Sequence, residues 1–153
     1  MAQFMWLGMA LATPFTALWV RRLGARGALL LSAAVPFVAF TLMNLTEQIA
    51  VWTVLYLCAG MAGSLRWIVA ESMVAELAPA ARRGRIVGLF ETMVGLTFVV
   101  GPALLAALTS AGIDAHVIRW LATALMGVAL LLSWRVPALH SHLEDQGTRL
   151  GIP

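Results

Sequence analysis

The sequence has no lysine and little charge of either sign. All ten of its basic residues are arginines, and with seven acidic residues they make up 11% of the 153 positions. A soluble domain is about a quarter charged, whereas this chain is 61% hydrophobic with a mean hydropathy of +0.91. There is too little polar side chain to cover a water-soluble globule. The composition therefore excludes a soluble domain and predicts apolar surface in contact with lipid.

Cysteine is nearly absent, and the spacings typical of metal and nucleotide sites are missing. Cys58 is the single cysteine and lies in an apolar run, so an intrachain disulfide is excluded and a small buried residue is expected. No metal-ligand spacing occurs, and no phosphate-binding glycine loop is followed by lysine. The sequence thus predicts no cofactor, no metal site, no ATP-driven transport and no enzyme activity.

Two short arginine clusters separate long uncharged runs. One contains Arg21, Arg22 and Arg26, and residues 1–20 and 27–46 on either side carry no charge. The other contains Arg82, Arg83 and Arg85. Apolar runs of about 20 residues suit helices that cross about 30 Å of hydrocarbon, and clustered arginine marks loops on the cytoplasmic side. The excess of basic over acidic residues is therefore explained by membrane topology, and no nucleic-acid partner is predicted.

These patterns predict an all-α fold, a polytopic membrane helix bundle with about five transmembrane helices. The bundle covers residues 1–136, with spans at about 3–20, 28–45, 49–77, 86–108 and 117–134, and residues 137–153 form a cytoplasmic tail or the start of a central linker. Five spans with arginine loops inside place the N-terminus outside and the C-terminus in the cytoplasm. A multi-pass protein of the bacterial inner membrane is expected.

Three ionisable residues within the predicted spans are candidates for substrate or proton handling: Arg66, Glu71 and Glu91. A charge at membrane depth is costly and indicates function. Arg66 and Glu71 are five residues apart and do not share a helix face. Arg66 lines a cavity for an anionic substrate or proton coupling, pairs with a carboxylate on another helix, or extends toward the membrane surface. The sequence leaves these three interpretations open.

Small residues are dense in the third span, at positions such as Ala59, Gly60, Ala62 and Ser64. Helices in lipid associate by close backbone approach, which small side chains permit. The third span is therefore expected to pack closely against its neighbours.

The arginine clusters resemble two loops of the major facilitator superfamily of transporters. Residues 19–29 resemble the loop after helix 2, which typically reads G-x-L-A-D-R-x-G-R-R. Gly24 matches its central glycine, and Arg22 and Arg26 match basic positions. Arg21 stands where the family has aspartate, so the usual latch through that carboxylate is not expected.

The second cluster matches the same family more fully. Residues 79–88, with Arg83-Gly84 at their centre, resemble the loop P-x-x-x-R-G-x-x-x-G between helices 4 and 5. Gly95 and then Gly101-Pro102 resemble the glycine-proline signature of helix 5. The resemblance implies that Arg21, Arg22, Gly24, Arg26, Arg82, Arg83, Gly84 and Arg85 form cytoplasmic gating loops. It also implies that Gly95, Gly101 and Pro102 form a helix-packing hinge.

By this resemblance the five spans correspond to helices 2 to 6, part of the N-terminal half of a transporter. The implied function is secondary active transport of a small solute by alternating access, with or without protons. The implied partners are the lipid bilayer, the solute, and a first helix and second transporter half that the sequence lacks. A truncated, non-transporting membrane fragment or scaffold protein is the alternative.

Overall fold

A computed structural model describes residues 2–136 of the chain, and these are helical with no strand. The helices are α1 (Ala2–Ala12), α2 (Thr16–Leu45), α3 (Ile49–Leu77), α4 (Arg83–Ser110) and α5 (Ala115–Trp134). Single 3-10 turns at Thr13–Phe15 and Ala80–Arg82 precede α2 and α4. The all-α class is confirmed. The predicted tail, residues 137–153, lies outside the described residues.

Four helical stretches are long and apolar enough to cross a membrane: Gln3–Leu45, Ile49–Leu77, Ala80–Ser110 and Ala115–Trp134. The first has 43 residues. At 1.5 Å per residue it would extend about 65 Å if straight, which is about twice the hydrocarbon thickness. Its division into two crossings, which would give five spans, stays a prediction.

Gly24 interrupts the first stretch. Its backbone has φ 71° and ψ 165°, a region that only glycine occupies readily. Helix continues on both sides of it, so the loop expected at residues 21–27 is reduced to a sharp break at one residue. Gly24 therefore sets the angle between the chain before it, which includes α1 and the start of α2, and the rest of α2.

The bundle is built around α3, which packs against both α1 and α2. Ala28, Leu65 and Val69 form its buried apolar core. Where α3 crosses α1, a Cβ on Gly8 would meet the Leu57 carbonyl oxygen, and one on Gly60 would meet the Met5 carbonyl oxygen. The close packing expected of the third span is confirmed, because the two backbones touch where side chains are absent.

The second half of the described chain packs less closely. α5 lies along α2, whereas α4 contacts α3 and α5 but has no buried residue. Cys58 is exposed on α3, so its expected burial is wrong. Cys58 lies at the edge of the contact between α3 and α2, where it lines an open apolar groove with Ala34 and Val38 of α2. Such exposed apolar surface is what lipid contact permits.

Candidate functional site

Arg66 reaches from α3 to the backbone of α2. It follows the buried Leu65, is partly buried itself, and its Nη2 donates a hydrogen bond of 2.7 Å to the carbonyl oxygen of Ser32. Ser32 is fully buried. From the end of α3 at Leu77, Arg66 is about 16 Å away along the helix axis. That distance corresponds to about the middle of a bilayer.

Pro36 explains why the Ser32 carbonyl oxygen is available. In a helix this oxygen would accept from the backbone N–H four residues later, but Pro36 occupies that position inside α2 and has no N–H. The Arg66 guanidinium supplies the missing donor. None of the three interpretations drawn from the sequence included this contact with a backbone carbonyl oxygen. Among the described residues, Arg66 has no hydrogen bond to a carboxylate.

Glu71 and Glu91 do not join Arg66. No hydrogen bond within residues 2–136 links the three side chains. Glu71 is exposed on α3, and Glu91 is partly buried on α4. By helical rise Glu71 is about 9 Å from Leu77, and Glu91 is about 12 Å from the start of α4 at Arg83. The two carboxylates therefore lie nearer than Arg66 to the loop between α3 and α4.

Residues next to Arg66 on α3 make polar and aromatic contacts with neighbouring elements. On the same helix, the Ser64 hydroxyl lies 3.2 Å from the Thr13 hydroxyl at the 3-10 turn. The neighbouring Trp67 ring packs at a tilt against Phe98 of α4, with centroids 6.3 Å apart, and Phe98 also stacks on Trp6 of α1 at 6.5 Å. The ring of Trp67, the residue that follows Arg66, therefore packs against an aromatic side chain of α4.

The predicted gating residues lie at one end of the bundle, the arginine end, defined by Arg21–Arg26 and Arg82–Arg85. Their exposed members are Arg21, Arg22, Gly24, Arg82, Arg83, Gly84 and Arg85. Arg26 differs, because it is partly buried and its Nη2 donates to the carbonyl oxygen of Trp134, the last residue of α5, at 3.1 Å. A cation there also suits the negative end of the helix dipole.

The predicted hinge residues have no close neighbour in the described part of the chain. Apart from the neighbouring backbone of α4 itself, no described atom lies within 4 Å of where a Cβ would stand on Gly95 or Gly101. Pro102 lies inside the continuous helix α4. Their packing role stays a prediction, while Gly8 and Gly60 provide the close helix contact among residues 2–136.

The end of the bundle opposite the arginine end holds a polar cluster that the sequence did not reveal. Asn44 Nδ2 of α2 donates to the Thr123 hydroxyl of α5 at 2.8 Å, and that hydroxyl donates to the Arg119 carbonyl oxygen at 3.0 Å. The Arg119 guanidinium lies over Trp52 of α3 at 5.7 Å. In the sequence, this cluster is indicated by Arg119 and Thr123, which are four residues apart and so lie on one face of a helix. The cluster ties α2, α3 and α5 together.

No group of three or more potential metal ligands occurs among residues 2–136. By helical rise, Arg66 lies farther from the arginine end than Glu71 and Glu91 do, and the clustered arginines lie at the helix ends. This arrangement can bind an anion or hold helices together.

Comparison with known proteins identifies the family. The family model described as Major Facilitator Superfamily matches residues 1–150. A search of curated proteins and a search of solved structures each gave no significant match. The family match covers nearly the whole chain, and the apolar helices fit a multi-pass membrane protein. The chain belongs to the major facilitator superfamily and is a membrane transporter protein of that type.

Proposed function

We propose that this chain takes part in secondary active transport of a small anionic solute by alternating access, with Arg66 as the anion-binding residue. Family membership supports transport of a small solute across a bilayer. In this mechanism, groups of helices rock around a site near the bilayer midplane. Further helices would complete the site opposite the bundle of residues 2–136.

The observation that carries the proposal is how Arg66 is held. Its one hydrogen bond within the described residues goes to the Ser32 carbonyl oxygen, which is neutral. A guanidinium has five N–H donors and always carries its charge in proteins. The contact therefore orients the side chain without neutralising it. A fixed, uncompensated cation at membrane depth suits a carboxylate or phosphate on a solute.

Glu71 and Glu91 are proposed to handle protons during transport. Glu71 is exposed on α3, and an exposed carboxylate at membrane depth is costly unless it faces water or protein. A water-filled path toward the arginine end would provide such an environment. The arginine loops would then open and close the cytoplasmic face. Our proposal accordingly has the N-terminus outside and the C-terminus inside. The bacterial inner membrane suits this orientation.

Solute-driven proton movement in vesicles tests the proposal. The purified full chain is placed in proteoliposomes that contain a trapped pH-sensitive dye, and a panel of small organic anions is added outside. We expect one or more anions to change the internal pH. Arg66→Gln should lower that signal by about tenfold or more, the effect of losing a charge-assisted contact of about 1.5–3 kcal/mol. Arg135→Gln, an exposed arginine at the arginine end, serves as the matched control.

Separate variants distinguish solute binding from proton coupling. Glu71→Gln and Glu91→Gln should retain exchange of labelled solute across the vesicle membrane but lose the pH change. Normal transport by Arg66→Gln and by Glu71→Gln would overturn the residue assignment. No flux of any anion through the wild-type chain would overturn transport by this chain and favour a non-transporting scaffold.

A further inference from the structure

An apolar groove runs between α2 and α5 at the arginine end. Its volume is about 610 Å³, and we refer to it as the α2–α5 groove. Its lining includes Gly27, Leu30, Leu31 and Ala34 of α2 and Leu130 and Trp134 of α5. From Gly27 to Ala34 the groove extends about 10 Å along α2 by helical rise. It is long enough for a substantial part of an acyl chain.

Arg26 lies beside Trp134, at the end of the α2–α5 groove. One of its nitrogens, Nη2, donates to the Trp134 carbonyl oxygen. Its Nε is buried and has no hydrogen-bond partner among residues 2–136. The two Nη nitrogens carry four N–H groups, and one of these donates to Trp134, so the guanidinium keeps N–H groups for a further acceptor. Trp134 lines the groove, and its carbonyl oxygen accepts from Arg26, so the apolar lining and the guanidinium meet at this residue.

On α2 and α5, the two helices that form the groove, the charge at this end has one sign. Arg21 and Arg22 precede Arg26 on α2, and Arg135 follows Trp134. Neither α2 nor α5 contains an aspartate or glutamate. The positive charge is therefore not balanced by acids on the two helices that form the groove. An apolar groove with a cluster of arginines at its mouth matches a molecule with an apolar chain and an anionic head.

We propose that the α2–α5 groove binds one anionic phospholipid, with an acyl chain along Leu30, Leu31 and Leu130 and the phosphate at Arg26. Helix ends that carry arginines lie at headgroup depth, and basic pockets between helices on that side suit anionic headgroups. The lipid phosphate accepts from the remaining Nη N–H groups of Arg26. This assignment concerns the outside of the bundle and does not depend on the transport proposal.

Tryptophan quenching by brominated lipid tests the site, because Trp134 lines the groove. The full chain is reconstituted in phosphatidylcholine vesicles that contain increasing fractions of phosphatidylglycerol brominated on its acyl chains. The difference between wild type and Trp134→Phe isolates the Trp134 fluorescence. We expect brominated phosphatidylglycerol to quench this component at least threefold more effectively, per lipid, than brominated phosphatidylcholine.

Variants show whether Arg26 causes the preference. Arg26→Gln should abolish it, Arg26→Lys should keep part of it, and Arg82→Gln, in the other arginine cluster, should leave it unchanged. Far-UV circular dichroism checks that the helices are retained. Equal quenching by the two lipids in the wild-type chain would overturn the proposal. So would protection of Trp134 from both lipids, which would mean that protein covers the groove.

Discussion

At the scale of single residues, Pro36 and Arg66 act together although they lie on different helices. The proline removes the N–H that would pair with the Ser32 carbonyl oxygen, and the arginine supplies a donor at 2.7 Å. In a bilayer no water replaces a missing backbone partner. Proline in the α2 helix is therefore tolerated because of a side chain 30 positions later in the sequence.

This pairing predicts that the cost of removing Arg66 depends on Pro36. Arg66→Met should destabilise the wild-type chain by about 1–3 kcal/mol, because the buried Ser32 carbonyl oxygen loses its donor. In a Pro36→Ala background, the alanine N–H can take that place, and the cost should fall below about 0.5 kcal/mol. The measurement is reversible unfolding in mixed detergent micelles, read by circular dichroism. Equal costs in the two backgrounds would refute the pairing.

At the scale of helices, the contact between α1 and α3 is set by missing side chains. Gly8 and Gly60 let the backbones touch, whereas the glycines of α4 have open space around them. Helices in lipid gain little from burying apolar side chains, so close backbone packing decides which pairs are strong. α1 and α3 therefore approach each other more closely than side chains at these two positions would allow.

Alanine substitutions on α3 test this contact with a control three residues away. Gly60→Ala should destabilise the chain by about 1–3 kcal/mol, because the new methyl group meets the Met5 backbone and no flexible side chain can move aside. At Gly63 a Cβ would lie 3.9 Å from Met9 Cγ, which is an ordinary contact. Gly63→Ala should be neutral, or stabilising by up to about 1 kcal/mol through helix propensity. Thermal unfolding of both variants in the same detergent provides the comparison, and equal effects would contradict the packing.

At the scale of the whole molecule, the helices alternate between two ends that differ in charge. Arg21–Arg26 and Arg82–Arg85 lie at one end, while Glu47 and Asp114 follow and precede helices at the other. Arg26 contacts the end of α5 at the arginine end, and Asn44 contacts Thr123 toward the opposite end. Basic loops remain on the cytoplasmic side during insertion, so this alternation predicts the orientation.

Single-cysteine labelling in intact cells measures the orientation. In a Cys58→Ser background, Ser110→Cys should react with a membrane-impermeant maleimide, because it lies at the end opposite the arginines. Gly84→Cys should react only after the cells are permeabilised. Both positions are exposed, so burial does not explain a difference between them. The reverse labelling pattern would contradict the proposed cytoplasmic position of the arginine loops.

Much of the fold was accessible from sequence, and much of the candidate site was not. Hydrophobic runs predict helices because a run of 20 apolar residues in lipid must satisfy its backbone hydrogen bonds internally, which a helix does. Gly60 was predicted to allow close packing, and it does. Gly95 and Gly101 were given a packing role by resemblance, and the described residues place nothing against them. Glycine therefore allows close helix packing only where another helix lies opposite it.

The sequence by itself determined the membrane location, the helical class and the family, because these depend on composition and on short motifs within single segments. The tertiary structure alone decided the partners: Arg66 with the Ser32 carbonyl oxygen, Arg26 with the end of α5, and Asn44 with Thr123. Each of these contacts joins residues 34 to 108 positions apart. Such contacts depend on how helices cross and rotate, and that geometry is set by the packing of all the helices together.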